Sequence, residues 1–145
     1  MAILVVILVV VLMVWQGRER THRLRCGENL RAIGTALMLY HERYPEAGAF
    51  GLAKLVEDGL VPAQALVCPS VGSGAANYIV VWDNLKREPL PNDAVIVYEP
   101  KSNHRGAGGC ALFADGHVSF MRVPAYDKLV ATLPPATAGT ENNNP

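Results

Sequence analysis

The chain opens with an unbroken apolar run, Met1 to Trp15 (MAILVVILVVVLMVW), and then changes character. From Arg18 to Tyr44 it is mixed, without proline, and its apolar positions recur as Cys26, Leu30, Ile33, Leu37, Tyr40 and Tyr44. Alternating steps of four and three put these residues on one stripe of an α-helix. Arg25, Glu28, Asn29, Arg31 and Glu42 fall on the other side, and Pro45 and Gly48 end the run. The pattern predicts one helix of about 40 residues, apolar all round in its first half and amphipathic in its second, with Gly17 as a weak point.

Fifteen helical residues rise about 22 Å, a little short of a comfortable span of about 20 residues. No Lys or Arg precedes the run, and Trp15-Gln16-Gly17-Arg18 is a poor signal-peptidase site. A soluble core helix would leave this segment without a polar face for water. A membrane anchor over residues 1–17 is the reading that remains. Arg18, Arg20, Arg23 and Arg25 all follow it, and a positive-inside count alone would put the domain in the cytosol.

Beyond the stem, FGLAKLVEDGLVP reads as a short helix with Leu52, Leu55 and Val56 inward and Gly59 as its stop. The loop CPSVGSGAAN precedes strand-like runs at NYIVVWD (77–83), AVIVYEP (94–100), CALFA and HVSFM, and YDKLVATL suggests a last short helix. PPATAGTENNNP has the composition of a disordered tail. The expectation is an α+β protein with three parts: anchor 1–17, globular domain 18–133 and tail 134–145. With 13 basic and 13 acidic residues the net charge is zero, and no nucleic-acid-binding fingerprint is present.

Candidate chemistry gathers in HRGAGGCALFADGHVSF. Asp115-Gly116 between two apolar runs predicts a hairpin with a two-residue type I′ turn. That register pairs Ala114 with His117, Phe113 with Val118 and Ala111 with Phe120. It puts Ala111, Phe113, Val118 and Phe120 together on the helix stripe and sends His117 to the other face. His104, before the glycine-rich connection holding Gly108 and Gly109, is expected to meet Asp115 as a structural contact. Alternatively His104 and Asp115 are two metal ligands, with Glu99 and His117 available as further donors, although zinc asks for three or four. No catalytic residues and no cofactor are expected, since no Ser-His-Asp order, P-loop or zinc-protease helix motif is present. The cysteines Cys26, Cys68 and Cys110 allow at most one internal disulfide. Cys26–Cys68 would tie the CPS loop to the helix, and buried free thiols are the equal alternative.

Together these features resemble the pseudopilin-like proteins of bacteria, related to type II secretion and type IV pilus subunits, in the branch with a C-terminal His…Asp-Gly signature. RCGENLRAIGTALMLYHERYPEAGAF is similar to that family's stem motif at Cys26, Asn29, Leu30, Ile33, Gly34, Ala36 and Leu37. LVCPS is similar to its Cys-Pro loop, and the terminal hairpin matches at His104, Gly108, Gly109, Phe113, Asp115 and Gly116. The resemblance implies a long N-terminal helix packed on a small antiparallel sheet, insertion in the inner membrane and a domain outside the cytoplasm. It implies an assembly component whose partners are the bilayer, other pilin-like subunits or secretion components. This chain lacks the family's prepilin cleavage motif and its glutamate, and Cys110 or Ala111 stands where the family has Asn after the glycines. Either the motif is encoded upstream of Met1 or the protein is an unprocessed anchor, and polymerisation is in question. The rival readings are an anchored extracytoplasmic metal-binding or hydrolytic domain using His104 and Asp115, and a cytosol-facing anchored adaptor.

Overall fold

The computed structural model describes residues 1–45, 51–71, 78–81 and 90–134. Its elements in chain order are α1 (Ala2–Arg43), α2 (Ala53–Glu57), a 3-10 turn (Ala63–Leu66), β1 (Ile79–Val80), β2 (Val95–Tyr98), a second 3-10 turn (Lys101–His104), β3 (Gly108–Phe113), β4 (Val118–Arg122) and α3 (Ala125–Thr132). The strands form one antiparallel sheet in the order β1-β2-β3-β4. The protein is α+β, with a long N-terminal helix lying on a small four-stranded sheet. Gly48 and the tail beyond Pro134 lie outside the described residues.

α1 runs unbroken through Gly17. Every residue from Met1 to Trp15 is exposed, and the large apolar side chains among them expose 43–100% of their surface. The segment is long and apolar enough to cross a membrane. Further along, Cys26, Leu30, Ile33, Leu37 and Tyr40 are all buried, as the stripe predicts. Tyr44 is not: it caps the helix with φ −130° and ψ 69°, where the chain leaves the helical path, and remains 41% exposed with its ring tilted on Tyr40. Gly27 and Gly34 complete the inner face. A Cβ on Gly34 would stand 2.4 Å from Leu112 Cδ2, so the missing side chain is what lets β3 approach the stem.

α2 is shorter than its sequence pattern suggested, but Leu55 is buried, Leu52 and Val56 pack on the core, and Gly59 ends it at φ +68°. Strand β1 is shorter than the run NYIVVWD. Its residues Asn77, Trp82 and Asp83 fall outside the described set.

The hairpin differs from the sequence expectation by one residue. Leu112 pairs with Val118, Ala111 with Ser119 and Cys110 with Phe120. The Phe113 N–H donates to the His117 carbonyl and the Gly116 N–H to the Phe113 carbonyl, enclosing a three-residue loop, Ala114-Asp115-Gly116. Only Gly116 takes positive φ, at +86°; Asp115 stays in the ordinary region. Since side chains alternate along a strand, this shift exchanges faces. Cys110, Leu112, Val118 and Phe120 lie toward α1, while Ala111 and Phe113 join Val81, Val95, Tyr98 and Tyr126 in a second cluster under α3. Ala111 and Phe113 therefore do not lie on the helix stripe.

Gly108 and Gly109 are likewise not loop residues: they begin β3. A Cβ on Gly108, at φ +138°, would sit 1.9 Å from the Met121 carbonyl oxygen, and one on Gly109 would sit 2.7 Å from that of Glu99. Both obstacles are backbone, which a rotamer change cannot clear. Gly108→Ala is expected to destabilise the domain by at least about 1–3 kcal/mol in denaturant unfolding. Gly17→Ala, where nothing lies within 4 Å, should leave the unfolding midpoint unchanged or slightly raised.

Candidate functional site

Four ionisable side chains meet where α1, the CPS loop and β2 come together. Cys26 comes from the inner stripe of α1. Cys68 follows the first 3-10 turn, and its loop is fastened by Asn29, whose Nδ2 donates to the Val67 carbonyl at 3.0 Å and to Tyr78 Oη at 3.3 Å. Glu99 sits just past β2. A bulge between Val95 and Val97 resets the alternation of that strand, so Ile96 and Val97 both join the core on the α1 side. Continuing from Val97, Tyr98 points to the second cluster and Glu99 points back toward the stem. His104 ends the second 3-10 turn, which Arg105 (φ 54°) and Gly106 (φ 80°) close in left-handed geometry.

The two cysteine sulfurs lie 2.7 Å apart, both fully buried, and the cysteines are free. His104 Nε2 is 3.0 Å from Glu99 Oε1 and 4.0 Å from Cys68 Sγ, and its Nδ1 is 3.1 Å from Ser70 Oγ. Glu99 Oε1 also accepts the Cys110 N–H at 2.7 Å, whereas Oε2 is buried with no hydrogen-bond partner. The Phe120 ring packs against the imidazole in a T-shaped pair, with centroids 5.4 Å apart. Glu99 is 0% and His104 2% exposed, so a polar cluster has been placed inside the apolar core.

Electrostatics follow from that placement. Burial alone would lower the His104 pKa, but hydrogen bonds to Cys68 and Glu99 and the charge of Glu99 outweigh it and hold the imidazolium up to about 9. Burial would raise the Glu99 carboxyl, and His104 together with the Cys110 N–H holds it below the usual range. In the coupled thiol pair, the hydrogen bond from Cys26 lowers Cys68 to about 5, against burial and with help from His104, while Cys26 is pushed well up. Cys68 is therefore where a thiolate forms and Cys26 is where the proton stays. Burial also raises Cys110, whose sulfur lies 3.9 Å from the Arg23 carbonyl, outside the four-residue group.

The sequence expectation is thus revised in part. Cys26 and Cys68 do come together. His104 and Asp115 do not: Asp115 accepts from the His117 N–H at 2.9 Å and meets His117 Nδ1 at 2.5 Å, at an exposed turn. His117 stacks on Phe113 with centroids 4.2 Å apart. The hairpin loop closes on itself, and the role foreseen for Asp115 falls to Glu99. Ser70 escaped the sequence reading, and Glu99 was expected there only as a further metal donor, not as the direct partner of His104. The one available signal was a lone carboxylate ending the apolar run AVIVYEP. No protein-family model, curated protein or solved structure matches the chain.

With His104 and Glu99 both buried, removing one strands the other. His104→Ala is expected to cost about 3–5 kcal/mol in urea unfolding. Adding Glu99→Gln should recover part of that loss, because the carboxylate no longer needs a counter-charge. Losses that simply add would show that the two groups are not energetically coupled.

Proposed function

We propose that the protein is a single-pass, membrane-anchored, pseudopilin-like structural component with its domain on the extracytoplasmic face. The observation that carries this reading is the continuity of α1. One helix presents a wholly exposed apolar half and, without a break, becomes the spine against which the sheet packs. An apolar helix of that kind needs lipid or neighbouring helices around it, and the attached domain is then held at a fixed height above the bilayer. Trp15, at the end of the run, belongs at the interface, and the Arg105 guanidinium lies 5.3 Å from its ring.

An assembly role rather than catalysis is supported by the burial of the reactive groups: Cys26, Cys68, Glu99 and His104 are at most 2% exposed. The resemblance of the stem, Cys-Pro loop and terminal hairpin to pseudopilins supplies the partner class, namely other pilin-like subunits or secretion components. The arginines after the span favour the rival, a cytosol-facing adaptor, so the topology is the decisive measurement. The native cysteines are too buried to report it, whereas Lys128 on α3 is exposed. In Lys128→Cys, a membrane-impermeant maleimide is expected to label intact spheroplasts, and the protein should stay with membranes through carbonate extraction. Labelling only after lysis would establish the cytosolic adaptor instead. Recovery in the carbonate supernatant would remove the anchor altogether.

A further inference from the structure

We infer that Cys26, Cys68, His104 and Glu99 form a binding site for one divalent cation of the zinc class. The inference is independent of the membrane topology proposed above. The four ligand atoms, two sulfurs, one imidazole nitrogen and one carboxylate oxygen, all lie within 4.8 Å of one another. Two thiolates exclude the hard cations calcium and magnesium, and the mixed sulfur, nitrogen and oxygen set with four donors is that of tetrahedral zinc.

Two further features point the same way. Glu99 Oε2 is a fully buried carboxylate oxygen with no hydrogen-bond partner, although its sister atom Oε1 is bound by the Cys110 N–H. A buried acceptor left in this state calls for an electrophile. His104 is oriented as a ligand: Nδ1 is engaged by Ser70 Oγ at 3.1 Å, leaving Nε2 facing Glu99 and Cys68. Metal-binding histidines are held in this way through the second ring nitrogen.

Occupation requires a small opening. Sulfurs bound to one tetrahedral zinc at about 2.3 Å stand roughly 3.8 Å apart. The present separation is 2.7 Å, so each sulfur must retreat by about half an ångström. On binding, the thiol proton of Cys26 and the proton on His104 Nε2 leave to solvent, Cys68 being already the thiolate, and the cation's two positive charges stand against three anionic donors. The competing fate of the pair is oxidation to a disulfide, the two sulfurs bonding to each other with loss of the Cys26 thiol proton to solvent and of two electrons to an external thiol oxidant such as a protein disulfide or molecular oxygen. That product would leave Glu99 Oε2 unpartnered, whereas a cation satisfies it.

The test uses the full-length chain in detergent, reduced, freed of metal and titrated anaerobically with cobalt(II). The expected result is saturation at one cobalt per chain, with a sulfur-to-cobalt charge-transfer band in the near ultraviolet and visible bands of tetrahedral strength, both abolished by zinc. Zinc should also raise the midpoint of thermal unfolding, and chelator should reverse the rise. Ser70→Ala, which removes only the histidine's second contact, should weaken binding roughly tenfold or more, while Asp115→Asn at the hairpin turn should leave it unchanged. Absence of the charge-transfer band in a folded, thiol-reduced sample overturns the site. So does a natively purified chain lighter by two hydrogens and carrying no metal, which would identify a Cys26–Cys68 disulfide.

Discussion

The structure depends on α1 remaining one helix while its side chains change from apolar and exposed in every direction to packed on one side against a protein core. Backbone hydrogen bonding is satisfied within the helix along its whole length, so the change in side-chain surroundings needs no break in the chain. What changes is the side-chain pattern. Up to Trp15 every direction is apolar and exposed, and from Cys26 onward only one stripe is buried. The domain is therefore not tethered by a flexible linker. Its orientation to the exposed apolar segment is fixed by the same hydrogen-bond ladder that fixes the stem. Burying Leu30, Ile33 and Leu37, at about 1.5–3 kcal/mol each, is what attaches the sheet to that stem.

Close approach between stem and sheet is the second constraint. Gly27 and Gly34 lie seven residues apart on the buried face, and β3 and β4 fill the space with Leu112 and Val118. On the other side of the same strands, Gly109 admits the Tyr126 ring, and the Tyr126 hydroxyl donates to the Glu99 carbonyl. The middle of the sheet is thus sandwiched between α1 and α3, with β2 and β3 buried on both faces. This explains why AVIVYEP is a continuous apolar run rather than an alternating one.

Periodic features of this fold were legible in the sequence, and features set by a single residue or by distant contacts were not. The stem stripe was legible because period alone places Cys26, Leu30, Ile33, Leu37 and Tyr40 together, and it failed only at Tyr44, where a capping residue leaves the helical path. The hairpin was legible as a hairpin but not in register. Asp115-Gly116 suits both a two-residue turn and a three-residue loop with glycine last, and the two differ by the one step that exchanges faces. The bulge that turns Glu99 toward the stem leaves no mark among Val95, Ile96 and Val97, which are interchangeable in an apolar run. Hence His104 was assigned to the only other conspicuous carboxylate nearby, Asp115, although its actual partner closes the preceding strand.

The position of the polar cluster is itself informative. Cys26, Cys68, Glu99 and His104 come from the stem, the CPS loop, the end of β2 and the turn leading into β3. Packing alone does not require ionisable groups there, and apolar side chains of similar volume would avoid the desolvation penalty of a buried imidazolium and carboxylate. Retaining them adds directional bonds among four segments, beside the Asn29–Val67 bond and the sheet ladder. Ser70 and Cys110 extend those bonds by one shell, to the loop and to the centre of β3. The cluster therefore fixes how loop, sheet and stem are registered to one another, whereas the apolar core alone fixes only that they are in contact. In a domain built on one continuous helix, that registration determines which surface the sheet presents relative to the apolar segment.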